Sequence, residues 1–167
     1  MNKTLRRILW FILLVALQVT ICNRIHLFGL ATPFLCLYFV LTLDHDVSPI
    51  ALLLWSFALG LAVDIFSNTL GMHAAACTLV AFARPALLRL FFTRDESEMY
   101  EPGLKAMGSG GFWPYAIVAV LLHHSLFYLL EFFSFSHLIP MLLHIVCSAV
   151  LTLLLILGME LIRSVRG

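Results

Sequence analysis

Six apolar stretches follow one another along this chain with almost no charge inside them, and that succession narrows the fold more than any other feature. They run over about 5–22, 32–43, 48–66, 71–92, 112–133 and 138–162. A helix of about 20 apolar residues crosses the hydrocarbon of a bilayer. The second stretch is short for that, and opens with Pro33, a residue suited to a first helical turn. It either recruits residues from 28–31 or thins the bilayer locally. Only 11% of the 167 residues are charged and 62% are hydrophobic. A soluble domain carries about 25% charged residues, so this chain cannot cover itself with a polar surface. The expected fold is an all-α membrane protein: a polytopic bundle of six transmembrane helices, one integral membrane domain over 1–167.

Charge orients that bundle. With the N-terminus inside and six crossings, the inner side holds Lys3, Arg6, Arg7, Arg84, Arg89, Arg94, Lys105, Arg163 and Arg166, and the outer side only Arg24. Nine against one is a strong positive-inside bias, and two basic termini favour an even number of spans. Both termini are therefore expected in the cytoplasm. The basic start resembles a signal peptide, but Val19-Thr20-Ile21-Cys22 offers no small-residue cleavage site, which points to an uncleaved first span. Net charge is +1, with no clustered basic face for nucleic acid. Cys22, Cys36, Cys77 and Cys147 form no C-x-x-C pair and read as small buried apolar residues. The long polar segment, about 93–111 and acidic over 95–101, is expected as a cytoplasmic linker, either mobile or a docking site for a partner.

One acid lies within the third apolar stretch, in Gly60-Leu61-Ala62-Val63-Asp64-Ile65-Phe66-Ser67-Asn68-Thr69-Leu70-Gly71. Such an acid costs about 2.5–3.5 kcal/mol near the bilayer centre and must be compensated. Small residues flank it: Ser56, Ala58, Gly60 and Ala62 before, Gly71, Ala74, Ala75 and Ala76 after. They allow close helix approach, so helices three and four are expected as a tight hairpin at the bundle's centre, turning at Ser67-Asn68-Thr69. Two readings of Asp64 stay open. Either Asp64 or Asn68 caps the free N–H groups of helix four, or Asp64 faces a cavity or a partner's transmembrane helix. His73 either pairs with Asp64 or is solvated.

Other polar groups carry weaker signals. His123 and His124 are adjacent, about 100° apart on a helix, and poorly placed to share a metal. His124, Glu131 and His144 are the residues an intramembrane metalloenzyme would need to bring together. There is no H-E-x-x-H, G-x-S-x-G, P-loop or dinucleotide fingerprint, so no catalytic residue, metal or cofactor is expected. Arg84, Pro85 and Arg89 mark the inner end of helix four. Pro85 tends to kink it, and the arginines either follow the interface toward lipid phosphates or snorkel from a straight helix. Glu160 and Arg163, three apart, are spaced for a local ion pair.

The succession Gly60, Leu61, Asp64, Ser67, Leu70 and Gly71 across the third and fourth apolar stretches resembles the motif of the rod shape-determining MreD family. Chain length, six apolar segments and a polar linker before the last two agree with it. The resemblance implies a non-enzymatic bacterial inner-membrane protein of the cell-elongation, peptidoglycan-synthesis machinery. Its partner would be an MreC-like single-span protein, with a RodA-type glycosyltransferase, its penicillin-binding partner and MreB filaments as indirect associates. It also implies a fold like the substrate-binding subunits of energy-coupling-factor vitamin transporters, and hence an alternative function as a vitamin-binding transporter subunit. Gly60, Asp64, Ser67 and Gly71 are the motif residues carried over, with Asn68 inside the same turn.

Overall fold

The computed structural model describes residues 2–25, 29, 31–92, 101–133 and 138–166, with side chains to residue 163. It is all-helical: α1 Lys3–Thr20, α2 Leu37–Thr42, α3 Pro49–Ser67, α4 Met72–Phe91, α5 Leu104–Phe132 and α6 Leu138–Arg166, with a short 3-10 turn at Cys22–Arg24. Five helical segments are long and apolar enough to cross a membrane: Lys3–Arg24, Pro49–Ser67, Met72–Phe91, Leu104–Phe132 and Leu138–Arg163. The chain is a multi-pass helical membrane protein.

Local chemistry sets the helix ends. Asn2 accepts from Thr4 N at the start of α1, and Ser48 accepts from Ala51 N at the start of α3, where Pro49 occupies the first turn. At the other end of α3, Asn68 adopts a left-handed conformation (φ 57°) that stops the helix. α4 continues through Pro85 to Phe91. α5 begins at Leu104 and is broken at Gly108 (φ 66°, ψ 171°). The linker expected to reach residue 111 therefore gives way to helix at Leu104, because Glu160 supplies a cap there: its Oε2 accepts from Leu104 N at 2.8 Å. Residues 93–100, with most of the acidic run, lie outside the described residues.

The second apolar stretch departs most from expectation. It is helical only over the six residues Leu37–Thr42, and residues 31–36 are not helical. Leu37, Tyr38, Phe39, Val40 and Leu41 are all buried. Irregular backbone at membrane depth needs protein around it, because hydrocarbon offers no hydrogen bonds. Here the neighbours provide them. Gln18 of α1 donates to Pro33 O (3.0 Å) and accepts from Cys36 N (3.1 Å). Ser148 and Thr152 of α6 accept from Thr32 N and Phe34 N, each at 3.0 Å. At the far end Tyr115 of α5 donates to Leu41 O (3.0 Å), and Arg84 of α4 donates to Leu43 O. This segment, not the α3–α4 hairpin, is the centre of the bundle. α3 instead exposes a stripe of Ile50, Leu54, Phe57, Leu61 and Ile65.

The two chain ends meet. Arg6 pairs with Asp44 and Glu101, Arg7 with Asp44 and Asp46, and Arg163 with Glu101 and Glu160. The start of α1 and the end of α6 thus share one end of the bundle, which we call the basic end. The Glu160–Arg163 separation is 3.6 Å, so the local pair expected from their spacing is present.

Candidate functional site

The motif residues assemble at the α3–α4 turn, at the end of the bundle opposite the basic cluster. Asp64 is 4% exposed, and among the described residues its carboxylate is hydrogen-bonded to α4 and the turn before it. Oδ1 accepts from His73 N at 3.0 Å and from the Thr69 hydroxyl at 2.6 Å; Oδ2 accepts from Ala74 N at 2.9 Å. The two amides belong to the first turn of α4, which has no intrahelical acceptor for them. A carboxylate there satisfies both and sits at the positive end of the helix dipole. Of the two readings the sequence leaves open, capping is realised, by Asp64 and not by Asn68.

Each neighbouring motif residue has its own physical reason. Gly60 is where the hairpin closes: a Cβ there would lie 2.5 Å from Ala74 N and Cα, so only hydrogen fits. Gly71 precedes α4 at φ 84°, a conformation that costs an L side chain about 1 kcal/mol or more. Ser67 Oγ accepts from Asn23 Nδ2 at 2.6 Å, tying the end of α1 to the end of α3. Asn68 and Asp64 also meet through the backbone, Asn68 N–H donating to Asp64 O.

His73 departs from both expectations. Its ring is buried, 2% exposed, and packs against Phe34 and Phe127 with centroids 4.8 and 4.5 Å away; Asp64 takes its backbone amide. His123 and His124 are also fully buried around Phe34. His124 is wired in one direction. Val120 O can only accept, so Nδ1–H donates to it (2.8 Å), leaving Nε2 to accept from Thr152, whose oxygen takes Phe34 N–H. His123 Nε2 lies 3.6 Å from Cys77 Sγ. His144 stacks near Tyr128 and Phe132, and Glu131 is exposed. Among the described residues no three His, Cys, Asp or Glu side chains group closely enough to hold a metal. Cys22, Cys36 and Cys77 are buried free thiols and Cys147 is half-buried.

Arg84 corrects the reading of the inner end of α4. It is 4% exposed and points into the bundle, with Nε 3.3 Å from the Tyr115 hydroxyl and a second bond to Leu43 O. It caps the C-terminus of α2 through Leu43 O, a favourable place for a cation, and is turned inward and not toward the surface. Pro85 and Arg89 are exposed.

The basic end, where two cavities lie, escaped the sequence reading as a site. One cavity of about 330 Å³ is lined by α1, the α2 segment and α6; a second of about 470 Å³ shares Glu101 and Arg163 with it. Asp64 lines neither. Glu160, 2% exposed, joins this cluster through Tyr38, whose hydroxyl donates to Oε1 at 2.7 Å. The long-range pairing of Arg6 and Arg163 through Glu101 has no local sequence signature. No protein-family profile, curated protein or solved structure matches the chain.

Proposed function

We propose that this chain is a non-enzymatic scaffold of a bacterial inner membrane, of the MreD type, holding the single membrane helix of an MreC-like partner within the cell-elongation and peptidoglycan-synthesis machinery. One observation carries the reading: the family-type residues Gly60, Asp64 and Gly71 lock one helical hairpin, and Ser67 ties that hairpin to the end of the first helix through Asn23. The acid is used up by three donors, so its work is to hold shape and not to meet a substrate. Behind that lock, α3 turns an unbroken apolar stripe outward, the kind of surface on which a transmembrane helix packs. In this reading the α2 segment completes a sixth passage through the bundle. The basic end faces the cytoplasm, in line with the positive-inside bias, and both termini lie there.

Depletion in the host tests it. Rod-shaped cells losing the chain should round up, and the tagged chain should retain an MreC-like protein through purification in mild detergent. Unchanged shape together with no such partner would reject the proposal.

A further inference from the structure

We propose that the cavity at the basic end is a binding site for one phospholipid, with the headgroup phosphate held by Arg6, Arg7 and Arg163 and the start of an acyl chain lying between α1 and α6. The inference is independent of the scaffold reading, because it uses neither the hairpin nor a partner protein.

Volume comes first. At about 330 Å³ the cavity is at the small end of ligand sites, which span about 300–1,000 Å³. That is too little for a helix and enough for a headgroup with its first methylenes. Its shape is amphiphilic along its length. On α1 it runs from Arg6 past Trp10 to the buried Leu14, and eight residues of helix rise about 12 Å. Met159 and Ile162 line the α6 side. α1 packs on α3 and the α2 segment while α6 packs on α5, so the cavity lies between two membrane-length helices that are not closely packed together. Trp10, about one turn above the arginines, is the residue type that settles at the bilayer interface.

Hydrogen-bond donors, not net charge, select the head. Three guanidiniums, Arg6, Arg7 and Arg163, and two carboxylates, Asp44 and Glu101, line the wall. Asp46 and Glu160 pair with Arg7 and Arg163 beside it, and Lys3 with Asp46, so the cluster as a whole is charge-balanced. Guanidinium N–H groups remain to receive a phosphate. Arg6 meets both its carboxylates through Nη2, and its Nε and Nη1 have no partner among the described residues. Arg7 uses Nε and Nη2 and keeps Nη1. Guanidiniums fixed by carboxylates are already oriented, so less side-chain freedom is lost when phosphate arrives. Basic pockets between transmembrane helices take lipid headgroups by this chemistry.

Native mass spectrometry of the full chain in detergent tests the site, after incubation with palmitoyl-oleoyl-phosphatidylglycerol, with dioleoylglycerol, or with phosphatidylglycerol plus excess inorganic phosphate. The expected result is one phosphatidylglycerol per chain, no retained dioleoylglycerol and no displacement by inorganic phosphate. Ile162→Trp, at an exposed lining position away from the ion pairs, should fill the mouth and weaken retention about tenfold, equivalent to about 1.4 kcal/mol. Arg6→Gln with Arg7→Gln should do the same, and Ile162→Trp keeps the test alive if that pair fails to fold. Retention of dioleoylglycerol equal to phosphatidylglycerol would show that no phosphate is read. Displacement by inorganic phosphate would make the occupant a soluble anion. Either result, no retained lipid, or undiminished retention in a folded Ile162→Trp variant overturns the proposal.

Discussion

Replacing Asp64 separates a structural clamp from a chemical group. In Asp64→Leu the amides of His73 and Ala74, now 3.0 and 2.9 Å from carboxylate oxygens, lose their acceptor inside the bundle. Thr69 is half-buried, and its hydroxyl can turn toward water. Each orphaned buried amide costs about 1–3 kcal/mol, so the leucine variant should lose about 2–6 kcal/mol. Asp64→Asn keeps one carbonyl oxygen in place and orphans a single amide, for a loss of about 1–3 kcal/mol. The two variants differ little in volume from the original, so packing changes stay small beside these terms. Equilibrium unfolding in detergent micelles, followed by circular dichroism, measures both losses. The required order is wild type, then asparagine, then leucine. A leucine variant within about 0.5 kcal/mol of wild type, the range of an ordinary surface change, would refute the clamp.

Other consequences follow from the buried wiring. Gln18→Leu should lose about 2–6 kcal/mol in the same unfolding assay, because Pro33 O and Cys36 N are both left without a partner at about 1–3 kcal/mol each. Arg84→Met should lose about 1–3 kcal/mol by exposing Leu43 O as an unpaired acceptor, while Tyr115 keeps its bond to Leu41 O; a gain in stability would contradict its capping role. At the surface, the hydrogen bond from Lys3, with Arg7 nearby, holds the Asp46 carboxyl below the usual carboxylate range. A lowered folded value means that this contribution is present above the ordinary carboxylate pKa and is lost as pH falls through the lowered one. Lys3→Gln should therefore flatten the acid limb of the stability–pH curve, by about 0.2–1 kcal/mol as for other exposed pairs.

The sequence made the hairpin legible because its signals are local. Small residues at Gly60 and Ala74 announce close approach, and an acid ten residues before Ala74 is within reach of a helix start across a short turn. The long helices were equally plain from apolar length. What stayed hidden depends on partners distant in sequence. The 32–43 stretch is apolar enough to suggest a span, yet Gln18, Ser148 and Thr152 replace helical hydrogen bonds at its start from 15 to 118 residues away. Arg84 was read by its position near an inner helix end, but the free carbonyls of α2 draw it inward. His73 sits one turn from a helix start, where water is the ordinary neighbour, and only the fold brings Phe34 and Phe127 onto its ring. Glu101 belongs to an acidic run that reads as linker, and only the meeting of α1 and α6 gives it two arginines.

Partner capture by a wedged hairpin probes the central claim, that this turn exists to organise contact with another membrane helix. In Gly60→Leu a side chain enters a gap where even a Cβ lies 2.5 Å from Ala74 N, prising α3 from α4. In mild detergent the unmodified chain should capture an MreC-like single-span protein, and the wedged chain, still helical and membrane-inserted, should capture at most about a tenth as much, a difference of about 1.4 kcal/mol. Equal capture by both chains would contradict the account.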